Sequence, residues 1–303
     1  MQTRRRFLAI TAAAPFALAG ATRAALSPTW TGVALGARAS LRIDHPDAAR
    51  IAEEVTSEIA RLEDIFSLYR PDSALVRLNR TGRIDAPPPE LLECLTLAGA
   101  VHRASGGRFD PTIQPLWALW AERAATGARP TPPELEAARA LGGWAELRLD
   151  SSAVTLAPGM ALTLNGIAQG YVADRVAALM EGQGLTDILI DTGEIRALGG
   201  QPNGGDWPVQ LAEGGLVPLR QRALATSAPL GTTFDADGRS GHILDPMTGE
   251  AAPHVWRAVS ISAPSAALAD ALSTAACLIK VKADIDAILS SFPEARFEAA
   301  VTL

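Results

Sequence analysis

Apolar residues recur at three- and four-residue steps through the first half of this chain and in short alternating runs through the second, and that division constrains the fold more than any single motif. From Pro46 onward, Ile51, Val55, Ile59, Leu62 and Phe66 line one helical face, with Glu53, Glu54 and Glu58 elsewhere. A second helix is expected from Pro89 to Ala104, stopped by Gly106-Gly107, which can take the left-handed conformation that closes a helix. Further helices are expected at 113–124, 132–140, 167–182 and 265–280. One strand is expected over 31–43, and short ones at 146–156, 187–191, 207–211, 216–226, 255–262 and 296–302. Helices early and strands late predict an α+β fold with largely antiparallel sheets rather than a doubly wound nucleotide fold. No Gly-x-Gly-x-x-Gly follows a strand, and no phosphate loop ends in Gly-Lys-Ser/Thr. A nucleotide would have to be held another way.

The first residues stand apart. Thr3-Arg4-Arg5-Arg6-Phe7-Leu8 leads into an alanine-rich apolar run to about Gly20, followed by small residues. This is the pattern of a twin-arginine export signal, and the run is too short for the ~20 residues of a membrane span. Residues 1–25 are set aside as a signal peptide, and 26–303 are expected to form the working domain in the periplasm. The segment carries four arginines and no acidic residue, so its removal takes the formal charge of −6 to about −10. With no basic cluster left, nucleic acid is excluded as a partner. Cys94 and Cys277 lie in apolar helical settings and are expected as buried thiols, with a disulfide as the alternative. The four histidines lack zinc-ligand spacing.

Four stretches carry chemistry. In Gly241-His242-Ile243-Leu244-Asp245-Pro246-Met247-Thr248-Gly249, turn residues hold His242 and Asp245 near one another on a loop, and His242 can serve as a general base; the same residues also make an ordinary turn. In Ala269-Asp270-Ala271-Leu272-Ser273-Thr274, a helix places Asp270 and Thr274 on one face. That pairing offers hard oxygens to magnesium, the alternative being a helix cap. In Leu164-Asn165-Gly166-Ile167-Ala168-Gln169-Gly170-Tyr171, small residues before a helix let backbone approach a phosphate, or let the helix pack closely on a neighbour. The last is split between Phe66-Ser67-Leu68-Tyr69-Arg70 and Gly107-Arg108-Phe109-Asp110-Pro111-Thr112, followed by Trp117 and Trp120. Aromatic rings there can stack on a flat ligand or simply fill the core.

Taken in order, Phe-Ser-x-Tyr, Phe-Asp-Pro-Thr, Gly-Ile-Ala-x-Gly-Tyr, Gly-His-Ile-x-Asp-Pro-x-Thr-Gly and Ala-Asp-Ala-Leu-Ser-Thr resemble the ApbE family of FAD:protein FMN transferases, from about Gly36 to Ile279. The resemblance implies antiparallel sheets with flanking helices and an active site in a cleft between two lobes. It implies magnesium on the main chain of Ala168 and on Asp270 and Thr274, and FAD contacts at Leu35, Tyr69, Arg108, Phe109, Asp110, Asn165, Tyr171 and Ile243. His242 matches the family's loop histidine and, with Asp245, supplies the catalytic candidates. The implied reaction moves FMN from FAD onto a protein threonine or serine, with AMP leaving. FAD hydrolysis to FMN and AMP, or FAD binding without catalysis, are the alternatives. The sequence departs from the family pattern at Thr163, Gln169, Met247, Thr192-Gly193-Glu194 and Ala228. Its opening, Trp30-Thr31-Gly32-Val33-Ala34-Leu35-Gly36-Ala37, is similar to the NosX-type branch, which implies a membrane-bound, periplasm-facing flavoprotein of the NosR kind as acceptor.

Overall fold

A seven-stranded antiparallel sheet organises the molecule. The structure is a computed structural model that describes residues 30–41, 47–202, 204–211 and 214–303; residues 1–25, expected to be a signal peptide, lie outside them. In chain order the elements are β1 (Trp30–Ala34), β2 (Ala37–Leu41), α1 (Ala48–Phe66), α2 (Ala74–Thr81), β3 (Arg83–Asp85) and α3 (Pro89–Ala104). Then come α4 (Gln114–Ala125), α5 (Pro132–Arg139), β4 (Arg148–Leu149), β5 (Ala153–Thr155), α6 (Ala168–Gly182), β6 (Ile188–Asp191) and β7 (Ile195–Leu198). The last are β8 (Trp207–Gln210), β9 (Leu216–Leu219), β10 (Ala223–Ser227), β11 (Trp256–Ala263), α7 (Ala266–Ala276), α8 (Lys282–Leu289) and β12 (Arg296–Thr302). The main sheet runs β1-β2-β6-β7-β10-β11-β12, with β3-β5-β4 and β8-β9 as smaller sheets, and every pairing is antiparallel. The expected α+β architecture is the one observed.

Helices cover one face of the main sheet. The apolar face of α1 is buried at Ile51, Val55, Ile59, Leu62 and Phe66, as its spacing predicts. Strand alternation then sorts side chains between two cores: Ile188 and Ile190 join the helices, while Leu189 and Ile195 meet Val209, Val217 and Leu219 from the β8–β9 hairpin on the other face. Between α7 and the sheet lies a seam of alanines, Ala173, Ala223, Ala225, Ala263, Ala266 and Ala269. Side chains this small let α7 sit close against β10 and β11, leaving no space for a longer residue.

Several expected elements divide. The strand expected over 31–43 is the β1–β2 hairpin, because Leu35 and Gly36 turn the chain at φ of 48° and 86°; Ile43 lies outside the described residues. The run 216–226 breaks into β9 and β10 around Gln221, at φ 50°. In 146–156 the Asp150 carboxylate accepts from the Ser152 amide and makes a turn between β4 and β5. The helix expected to reach residue 280 ends at Ala276, and α8 follows it. Short α2 is stopped at both ends by local chemistry: Ser73 accepts from the Val76 amide, and Gly82 at φ 72° closes it.

Candidate active site

The N-termini of α6 and α7 meet around Gly170 and Asp270. A β-carbon on Gly170 would overlap the Ala266 carbonyl, so only glycine lets the helices approach this closely. The Gly170 amide, in the first turn of α6, donates to Asp270 Oδ2 at 3.3 Å. Asp270 is 4% exposed. Burial pushes its carboxyl up to about 7, the Gly170 amide opposes this, and the negative charge of Asp174 adds to it. One turn along, Thr274 Oγ1 lies 3.3 Å from Ser227 Oγ, which is itself 2.7 Å from Ser273 Oγ. A β-carbon on Gly166 would stand 3.1 Å from Thr274 Oγ1 and 3.3 Å from the Phe109 ring. Gly166 is thus the residue of its stretch that lies against Thr274. Ala168, whose main chain the resemblance assigns to the metal, opens α6 two residues after Gly166.

Beside this seam stands the 241–249 loop. Arg108 Nη1 is 2.5 Å from Asp245 Oδ2, and the Met247 amide donates to Asp245 Oδ1 at 2.8 Å. The Asp245 carbonyl accepts from Gly249 at 2.7 Å. With a partner on each carboxylate oxygen, Asp245 holds the loop and Arg108 in place. His242 is the other catalytic candidate. Its Nδ1 lies 3.1 Å from the Thr232 carbonyl, a contact that calls for the proton on Nδ1. Burial holds its pKa below the ordinary value, with the Thr232 and Pro229 carbonyls opposing, so the ring is neutral at pH 7. The segment leaving β10 links the two regions, since Ser227 reaches Thr274 and Thr232 holds His242.

The remaining predicted residues divide between surface and core. Leu35 forms the hairpin turn, and its amide donates to Glu63 Oε1 at 2.9 Å. Glu63 also pairs with Arg70, next to Tyr69, whose ring is 59% exposed. Leu35 and Tyr69 therefore belong to one surface held by a single carboxylate. Asn165 is exposed and its amide rests on Thr163 Oγ1 at 3.3 Å. Asp110 accepts from the Thr112 amide and hydroxyl at 2.8 and 2.7 Å, fixing the turn after Phe109. Phe109 and Ile243 are buried in the main core. The Tyr171 ring meets Phe66 edge-on at 5.3 Å and its hydroxyl donates to Glu93. The thiols of Cys94 and Cys277 are both free and buried.

Two neighbours of the site, Ser227 and Asp174, were not singled out by the sequence, and a third, Glu194, was named only as a departure from the family pattern. Ser227 gave no signal, being one hydroxyl in a strand. Asp174 was visible only as the end of a motif. Glu194 stands in the Asp191-Thr192-Gly193-Glu194 turn; burial, then the charges of Asp270 and Asp191, hold its carboxyl well above the usual range against the Thr226 amide. Among the described residues no three His, Cys, Asp or Glu side chains group as metal ligands. A metal here would have to draw on hydroxyl and carbonyl oxygens, which suits a hard cation rather than zinc.

Comparison with known proteins bears on the family and the fold. A family model described as the ApbE family matches residues 35–297. The chain is 31% identical over 242 residues to the FAD:protein FMN transferase of Chlamydia trachomatis, covering 76% of each protein. It is 28% identical over 253 residues to that of Salmonella typhimurium, covering 77% of this chain and 72% of the relative. Among solved structures, the apo flavinyl transferase ApbE of Pseudomonas stutzeri superposes with a TM-score of 0.78 at 29% identity, over 88% of this chain and 89% of that one. The Vibrio cholerae flavin transferase ApbE gives 0.73 at 26% identity, over 86% and 89%. Motif order, fold and these likenesses agree, and the chain belongs to the ApbE family.

Proposed function

We propose that this protein transfers FMN from FAD to a threonine or serine hydroxyl of an acceptor protein, releasing AMP. The observation that carries the reading is the convergence, at one helix junction, of Asp270, Thr274 and Gly166, with Phe109 connecting them to the Arg108–Asp245 pair. In the reaction the acceptor oxygen attacks the FMN-side phosphorus, the phosphorus–oxygen bond to AMP breaks, and the hydroxyl proton passes to a base. His242 Nε2 is that base, held neutral by burial and oriented by Thr232. Arg108 brings positive charge to the same side. No nucleophile of the enzyme is required.

The residues fit magnesium. Asp270 is a buried carboxylate that takes a long hydrogen bond from the Gly170 amide, Thr274 places a hydroxyl one turn away, and Gly166 packs against that hydroxyl, two residues before the Ala168 carbonyl that the resemblance assigns to the ion. These oxygens would hold the ion, which when bound offsets charge on the pyrophosphate. Tyr69 and Asn165 offer exposed surface for FAD around this centre, with Leu35 half-buried beside Tyr69.

Arg4-Arg5 before Phe7-Leu8 supports export by the twin-arginine route, which would place the reaction in the periplasm. The acceptor would be a flavoprotein presenting its hydroxyl there, and the opening residues 30–37 favour a membrane-bound one of the NosR kind. The test is incubation with FAD, magnesium and a threonine-bearing acceptor, followed by a denaturing gel read for flavin fluorescence and chromatography for AMP. Covalent flavin with equimolar AMP is the expected result. AMP without labelled acceptor would assign a hydrolase, and neither product would assign a flavin-binding protein.

A further inference from the structure

Helix α7 carries Asp270 and Thr274, so whatever fixes its position fixes the site. The first amides of a helix have no partner within it and are usually satisfied by a residue just upstream. Here Ser265 does this for one of them, accepting from the Leu268 amide at 3.2 Å. The two amides before it are satisfied from another helix: Ala266 and Ala267 donate to Asp174 Oδ1 and Oδ2 at 2.8 and 2.9 Å. Asp174 lies one turn after Gly170 on α6, and Arg196 Nε on β7 stands 3.4 Å behind its carboxylate.

The arrangement is reciprocal. A carboxylate of α6 holds first-turn amides of α7, while Asp270 of α7 takes a first-turn amide of α6 from Gly170. Gly170 sets how near the two helices come, since the Ala266 carbonyl leaves no room for a side chain. Asp174 sets where α7 stands along α6. A helix rises about 1.5 Å per residue, so a slip of one residue would carry Asp270 out of reach of Gly170, and Thr274 away from Gly166. Ser265 belongs to the segment that leads into α7 and would travel with it.

We infer that Asp174 is a positioning residue of the transfer site: through the first-turn amides of α7 it sets where Asp270 and Thr274 stand against the 166–170 segment. Asp174 need touch neither FAD nor the metal to do so. The inference rests on the transferase reading above and adds to it a residue whose loss is felt as a weakened cation site.

The comparison of two cap losses separates positioning from simple stabilisation. Asp174→Asn and Ser265→Ala each remove hydrogen bonds from the start of α7, but only the first releases it from α6. The melting temperature of each FAD-free protein is followed against magnesium alone, and transfer is followed against magnesium in parallel. For Asp174→Asn the half-saturating magnesium concentration should rise about 10–100-fold in both assays, the range seen when groups that orient metal ligands are lost. Rate at saturating magnesium should fall much less. Ser265→Ala should lower the melting temperature while leaving the magnesium requirement of the wild type. If Asp174→Asn does not fold, Arg196→Gln, which loosens the same carboxylate, should show a smaller shift in the same direction. An unchanged magnesium requirement in the folded variant, or an equal change in Ser265→Ala, would overturn the inference while leaving the transferase reading intact. A wild-type protein with neither a magnesium response nor transfer would overturn both.

Discussion

Arg108 and Asp245 join two loops that are 137 residues apart in sequence, through a 2.5 Å contact in which the carboxylate is nearly buried and the guanidinium is not. The pair holds the 241–249 loop while the Met247 amide occupies the other carboxylate oxygen. Asp245→Asn keeps the turn but weakens the ion pair, and it should lower stability by about 1–2 kcal/mol, the scale of a partly screened hydrogen bond between charged groups. Chemical denaturation of Asp245→Asn, Arg108→Ala and the double variant should show clear coupling between the two sites. Additive losses would mean that the residues act independently.

His242 should behave as a base that is already neutral at physiological pH. His242→Ala is expected to slow transfer about 10²–10⁴-fold with little change in FAD affinity, because a base acts in the transition state. Because burial lowers the pKa of the ring, the acid limb of kcat/KM should have its midpoint below the ordinary value of 6.5. The same shift predicts a stability contribution that is present above 6.5 and lost as pH falls toward the folded-state value, since the unfolded chain takes up the proton first. A limb centred at or above 6.5, or one retained in His242→Ala, would assign the proton transfer to another group.

Asp270→Asn should divide stability from function. Folding raises the carboxyl from the usual carboxylate range to about 7, so its burial penalty is absent below pH 4 and grows as pH rises through that window. The metal-free Asn variant should therefore melt higher than the wild type at pH 8, by on the order of a few kcal/mol in stability. Transfer should collapse in the same variant, with only partial recovery at high magnesium, because the cation loses a charged oxygen. Superimposable magnesium curves for the two proteins would remove Asp270 from the metal site.

Arg4→Lys combined with Arg5→Lys should abolish accumulation in the periplasm while leaving the fold unchanged, because the paired arginines are the feature that distinguishes this signal. Cell fractionation with immunodetection measures this. Normal periplasmic yield from the double variant would assign a different export route.

Long elements and motif chemistry were legible in the sequence because they repeat or because special residue types mark them. The apolar face of α1 has five turns over which to declare its period, and Asp270 and Thr274 show their common face as soon as a helix is assumed. Elements such as α2, β3, β7 and α8 are too short to establish a period, and they rely on neighbours for their burial. The split of 31–43 into a hairpin turned on Leu35, whose positive φ no leucine advertises. Partners are what the sequence conceals: Arg108 and the Met247 amide meet the two oxygens of Asp245, and Phe66 and Glu93 stand beside Tyr171. Such facts depend on distant residues, and the pattern around a single position does not contain them.

The mutual capping of α6 and α7 also bears on how the chain acquires its activity. Asp174 meets its amide partners 92 and 93 residues further on, and Gly170 meets Asp270 after 100. Contacts of such separation form late, because a long loop must close before they contribute. A nascent chain that has emerged only as far as β10 has helices α1 to α6 in hand and no cation site at all. FAD and magnesium would then be ligands of the finished fold alone, and their presence in the compartment of synthesis should stabilise completed molecules while having no hold on partial ones.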